Sequence, residues 1–179
     1  MDKELKNQPC YDKDGNFIGW FSRSTAATIV VLAENCDEKL FILASERGPG
    51  AADFNGKWNL PCGYIDFNET ALEAACRECF EETGVSLDPD SSVFIGYEDS
   101  PTANRQNITF RFMNVIMDRK IEDIEFSKEN NEKDEVGQIM WVDIDHYGDF
   151  EWAFGHDKII ERVGKLVREA KESLKEKSM

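Results

Sequence analysis

One capped helix stands between runs that read as strands, and an amphipathic helix closes the chain; that order limits the possible folds more than any other feature. Thr70 and Glu73 have the spacing of a capping box and Gly84 supplies a stop, which predicts a helix from about Thr70 to Thr83. Before it, "STAATIVVLA" (24–33) and "KLFILAS" (39–45) are apolar runs separated by the polar "ENCDE", so two core strands joined by a tight connection are expected. "ERGPGAADFNGK" (46–57) is rich in Gly and Pro and reads as a loop, followed by the extended "WNLPCGYI". Beyond the helix, "SVFIGY" (92–97), "NITFRFMNVIM" (107–117) and "QIMWVDI" (138–144) read as strands. The acidic "IEDIEFSKENNEKDEVG" (121–137) reads as an exposed, mobile connection. At the end, Ile159, Ile160, Val163, Leu166, Val167, Ala170 and Leu174 recur at three and four residues, the pattern of a helix packing one face on the core. Strands on both sides of one helix, with a second helix last, predict a mixed α/β layered domain.

The chain has 179 residues, enough for one domain with a sizeable core, taken here as residues 21–179. Residues 1–20 read as an extension or hairpin, since Asp14-Gly15 is a turn dipeptide between aromatic-rich flanks. The D-x-D-G there is similar to a calcium loop, but Arg23 stands where that loop needs a glutamate. The first ten residues lack a signal-like apolar run and no later stretch approaches a membrane span, so a soluble, cytoplasmic protein is expected. Five cysteines at irregular spacing suit reduced thiols better than a disulfide framework. Cys76 and Cys79 form a C-x-x-C without a second pair or nearby histidine and read as small core residues. The net charge of −15 opposes duplex nucleic acid and anionic membranes, where binding relies on Lys and Arg. A small anionic substrate would need a local reversal of sign, which a bound divalent cation provides most directly.

"RECFEETG", Arg77 to Gly84, concentrates three glutamates near the end of the predicted helix. At about 100° per residue, Glu78, Glu81 and Glu82 fall within an arc of roughly 100°, with Leu72, Ala75, Cys76, Cys79 and Phe80 assigned to the opposite, anchoring arc. Arg77 lies one turn before Glu81 and can pair with it. Like charges at i,i+4 repel, and acids near a helix C-terminus oppose its dipole. A solvated face would intersperse lysines, whereas converging hard oxygens suit Mg2+ or Mn2+.

Written out, Gly63 to Val85 is "GYIDFNETALEAACRECFEETGV", with Glu69 six residues after the glycine and Arg77-Glu78 eight residues further on. This resembles the Nudix box, G-x5-E-x7-R-E-U-x-E-E-x-G-U, matching every specified charge and glycine; Cys79 stands where an aliphatic residue is usual. The resemblance implies an α/β/α sandwich around a mixed sheet and a hydrolase that cleaves a nucleoside diphosphate linked to another moiety. It implies Glu78 and Glu82 as metal ligands, Glu81 as a further ligand or neighbour, and the Gly63 carbonyl completing the set. Glu69 would hold a water of the metal or orient Glu78, and Arg77 would brace the glutamates. The cofactor implied is Mg2+, with Mn2+ as a substitute, and homodimers are common among members. The general base would be a box glutamate or an acid of the 121–137 segment (Glu129, Glu132, Asp134, Glu135), with Glu135 preferred for its spacing to Trp141.

Outside the box, Arg47, Arg105 and Arg111 could pair with phosphate, and Trp58, Tyr97, Phe112, Trp152 or Phe154 could stack on a base. Pro101 sits roughly where ADP-ribose hydrolases of the family carry a proline, which puts ADP-ribose or a nucleotide sugar first. Nucleoside triphosphates and dinucleoside polyphosphates follow. Two rivals are an isopentenyl-diphosphate isomerase-like enzyme using Cys62 and a noncatalytic nucleotide sensor; the intact box weighs against both.

Overall fold

The computed structural model describes residues 7–102, 107–129, 131 and 134–177, with the side chains of Trp20 and of residues beyond 173 excepted. Strands run in the order β1 (Gln8–Tyr11), β2 (Phe17–Phe21), β3 (Thr25–Glu34), β4 (Leu40–Arg47), β5 (Trp58–Asn59) and β6 (Cys62–Tyr64), followed by helix α1 (Ala71–Thr83). Then come β7 (Ser92–Glu98), β8 (Ile108–Ile116), β9 (Val136–Asp143) and helix α2 (His156–Lys177). β1 and β2 form their own antiparallel hairpin, and the other strands make one sheet in the order β5-β4-β3-β8-β7, with β6 on β3 and β9 on β4. β3 and β8 are parallel and the remaining pairs antiparallel, so the sheet is mixed.

Successive residues of β3 serve opposite faces, as a strand's period of two requires. Ala27, Ile29, Val31 and Ala33 pack with Leu43, Phe112 and the α1 residues Ala74, Ala75 and Cys79. Val30 and Leu32 pack with Ile42, Val142 and the α2 residues Ile159, Ile160 and Val163. The sheet is thus covered by one helix on each face, the α/β/α sandwich. Each fully buried Leu, Ile or Val contributes roughly 1.5–3 kcal/mol, so β3, apolar on both sides, is the axis of the core. Among the described residues no helix is long and apolar enough to cross a membrane.

Three expectations need correction. Phe80 is 42% exposed and Ala74 is fully buried, so the packed stripe of α1 is Ala74, Ala75, Cys79 and Thr83. On α2 the stripe packs only at its start: Leu166 and Ala170 are exposed, because the helix outruns the sheet after Val167, and the side chain of Leu174 lies outside the described residues. The 121–137 segment is not a simple exposed connection. Ile124 is buried, Phe126 stacks at 6.1 Å on Trp141, and the Ser127 amide donates to the Thr83 carbonyl at the end of α1.

The sheet splits where a cavity forms. β6 pairs with the first part of β3 (Ala26↔Tyr64 to Thr28↔Cys62), whereas β4 pairs with its last part (Leu32↔Ile42 to Glu34↔Leu40). Both claim the same edge of β3, so β4 diverges toward β5 and β9. A cavity of about 720 Å3 opens at that divergence, bordered by Thr28, Arg47, Asn59 and Cys62.

Candidate active site

Helix α1 carries the acidic groups into this cavity, and its ends are fixed by the residues that predicted it. The Glu73 amide donates to Thr70 Oγ1 at 3.2 Å, and the Thr70 amide to Glu73 Oε2 at 2.7 Å. At the other end Gly84 takes the left-handed conformation (φ 77°) and its amide donates to the Phe80 carbonyl at 2.8 Å.

Glu78, Glu81 and Glu82 all border the cavity, but they do not share one environment. The Glu81 side chain is 43% exposed, that of Glu78 only 17%. Glu82 lies deepest, beside the Ser45 hydroxyl at 3.1 Å and the Cys62 amide, and no cationic side chain bonds it among the described residues. Burial, and then the charge of Glu78, raises the Glu82 carboxyl to about 8. Burial also raises Glu78, opposed by Arg77.

Arg77 is the hub of the outer side. It donates to Glu69 at 3.0 and 2.8 Å, to Glu78 at 2.9 Å, to Glu81 at 2.8 Å and to the Tyr64 carbonyl at 3.0 Å. Its hydrogen bond to Glu69 holds that carboxyl below the usual range, and Glu69 also accepts from the Asp66 amide at 2.7 Å. Glu69 therefore bonds Arg77 and the loop, and its charge also acts on Glu78. A β-carbon on Gly63 would land on the Glu78 carboxylate, so the glycine leaves that carboxylate room against the β6 backbone.

The second wall joins two loops. The Gly48 amide donates to the Glu135 carbonyl at 2.7 Å and the Gly50 amide to the Asp134 carbonyl at 3.0 Å. Glu135 and Asn131 border the cavity, and Asn131 Oδ1 accepts from the Glu135 amide at 3.1 Å. Arg47 is there too, but its guanidinium is engaged by Asp53, through the carbonyl at 2.8 Å and the carboxylate at 3.0 Å.

The remaining residues singled out in the sequence fall elsewhere. Trp58 packs edge-on against Phe150 in the α2-side core, and Arg111 pairs with Glu98 at 3.6 Å; neither borders the cavity. Phe112 is core, Trp152 packs against the α2-side core, and Tyr97 lies exposed on β7. Arg105 and Glu132 lie outside the described residues. Of the aromatic candidates only Phe154 borders the cavity.

Sequence reasoning missed Ser45, Phe54, Asn59 and His156. Ser45 and Asn59 are buried polar side chains within hydrogen-bonding distance of each other (3.2 Å), and no pattern in the sequence pairs residues 14 apart on different strands. His156 is one of two histidines in the chain, which was the only signal available. Its Nδ1 accepts from the Leu60 amide at 2.9 Å, so Nε2 carries the proton, and burial lowers its pKa to about 3. Cys62 borders the cavity, but burial and Glu82 push its thiol up, the wrong direction for a nucleophilic thiolate.

The family model of the NUDIX domain matches residues 23–163. The chain belongs to the NUDIX family. Over 69 residues it is 35% identical to the m7GpppN-mRNA hydrolase NUDT17 of Danio rerio, covering 38% of this chain and 22% of that protein, so the matched segment spans about a fifth of the relative's length. The NUDIX domain of Shewanella oneidensis NrtR, complexed with ADP ribose, superposes with a TM-score of 0.68 at 18% identity, covering 88% of this chain and 94% of that one. A bifunctional NMN adenylyltransferase/ADP ribose pyrophosphatase from Francisella tularensis, complexed with AMP and a Mn ion, gives a TM-score of 0.62 at 20% identity over 80% of this chain and 42% of that one.

Proposed function

We propose that the protein is a divalent-metal-dependent hydrolase that cleaves the pyrophosphate linkage of a nucleoside diphosphate joined to another moiety, with ADP-ribose or a nucleotide sugar the leading substrate. The observation that carries this is the pair Glu78 and Glu82: two acids sunk beside each other at a cavity wall, the inner one without a cationic partner among the described residues. Such a pair is unfavourable alone and favourable around a hard cation. Glu78, Glu82 and Gly63 would hold the metal, with Glu81 beside them. When bound, Mg2+ or Mn2+ neutralises pyrophosphate oxygens and makes water a better nucleophile at neutral pH.

The chain's own residues do the rest. Arg77 fixes Glu78 and Glu81 from outside, so the carboxylates are oriented before a substrate arrives. Glu135, on the facing wall, would take the proton from the attacking water. The ligands in the two structural relatives, ADP ribose and AMP with manganese, support a nucleotide and a divalent cation as the chemistry of this fold.

The test is a panel of ADP-ribose, nucleotide sugars, dinucleoside polyphosphates and nucleoside triphosphates incubated with Mg2+, read by the products formed. Release of a nucleoside monophosphate from a diphosphate-linked compound is expected, as is its loss by roughly a hundredfold or more in Glu82→Gln, the scale on which removal of essential electrostatic groups acts. Full turnover by a folded Glu82→Gln protein would remove the proposal.

A further inference from the structure

Two phenylalanines on different loops meet at the cavity, beside Arg47, and both hold backbone conformations that side chains rarely adopt: φ is 54° at Phe54 and 56° at Phe154. Bulky residues in this region are strained, and Asn or Gly serves there at lower cost. Such strain persists where the surroundings impose it, commonly at ligand sites. The two rings are 4.9 Å apart, edge to face at 71°.

Phe154 is hemmed in, with the Arg47 guanidinium 4.9 Å from its centroid and the His156 ring at 5.5 Å. Phe54 is not: it remains 43% exposed while bordering the cavity. Its loop is tied down by the Arg47–Asp53 pair, by the Lys57 amide on the Phe54 carbonyl at 2.9 Å, and by Asn55 Nδ2 on the Gly48 carbonyl at 2.8 Å. A rigid ring, open to the cavity and strained into position, is a stacking surface with its conformational freedom already removed.

We propose that the open ring of Phe54 stacks on the nucleobase of the substrate, with Phe154 and the Arg47–Asp53 pair as the positioning residues behind it. This rests on the nucleotide reading above and adds the group that senses the base. Arg47 thereby holds the aromatic loop, because its carboxylate partner already occupies it.

The experiment titrates AMP and ribose 5-phosphate, in the presence of Mg2+, into the wild-type protein and the variants Phe54→Asn and Phe54→Trp by calorimetry. Asn accepts the left-handed backbone and removes the ring, so the thermal midpoint should not fall. The wild type should bind AMP roughly tenfold or more tighter than ribose 5-phosphate, the scale of one base–aromatic stack. Phe54→Asn should bring the two affinities within about twofold, and Phe54→Trp should preserve the difference. Equal affinities in the wild type, or discrimination retained by Phe54→Asn, would overturn the assignment. Neither ligand contains a pyrophosphate, so the result is independent of turnover: Phe54-dependent AMP binding without hydrolysis of any panel member would sink the hydrolase reading and leave this one standing. Hydrolysis without base discrimination would do the reverse.

Discussion

At Glu82, burial outweighs the hydrogen bonds that favour its anion, and this ties the stability of the metal-free protein to pH. Burial raises the folded carboxyl to about 8 from a glutamate's ordinary 4.5, so between those values the native state holds a proton that the unfolded chain has released. Stability from this group is complete below about pH 4.5 and falls as pH rises, by up to about 1.4 kcal/mol per pH unit, until roughly pH 8. Thermal midpoints of the metal-free protein should therefore decline from pH 5 to pH 8, and Glu82→Gln, neutral throughout, should flatten the decline. Mg2+ should raise the midpoint more at pH 8 than at pH 6, since Glu82, as the proposed ligand, must first lose its proton. An equally steep decline in Glu82→Gln would place the effect in another group.

The helix that carries Glu82 depends on its C-terminal capping residue for more than a stop signal. Gly84 adopts φ 77°, and a β-carbon there would meet the backbone nitrogen of Ser127 at 2.7 Å. Gly84→Asn tolerates the left-handed turn but not that contact, whereas Gly84→Ala meets both. Both variants should lower stability by about 1–3 kcal/mol in urea unfolding, the range of overpacking, with Ala the worse. A neutral Asn variant would mean that the 124–127 segment is not held against the helix. The same segment shows where the sequence stopped being informative. Thr70, Glu73 and Gly84 announced α1 because capping is local chemistry, and the apolar run of β3 announced a core strand because Ala27 to Ala33 are all buried whichever face they take. The packing of Phe126 on Trp141, the meeting of Phe54 with Phe154 and the bond from Leu60 to His156 join residues 15 to 100 positions apart. Nothing local encodes those distances. The box glutamates were legible as a cluster, while their division into one exposed and two inward carboxylates came only from how α1 leans on the split sheet.

On the scale of the whole molecule, the proposed function asks an acidic protein with a net charge of −15 to admit an anion. Its field repels a free diphosphate at distances well beyond the cavity, and among the described residues the two arginines at the cavity are already paired with carboxylates, Arg77 with glutamates and Arg47 with Asp53. On the proposed function, attraction comes from a cation held at Glu78 and Glu82, or from one already bound to the substrate, while the net negative charge opposes approach. Screening shortens the reach of that repulsion from about 30 Å at 0.01 M salt to about 8 Å at 0.15 M, while a contact inside the cleft is screened much less. Raising KCl across that range at saturating Mg2+ should therefore increase kcat/KM for an anionic diphosphate by about two- to fivefold with kcat little changed, the inverse of the salt response of proteins that steer anions with a basic surface. Initial rates at four ionic strengths measure it, and a kcat/KM that falls steadily with salt would show that local positive potential, rather than the overall acidity, governs the approach.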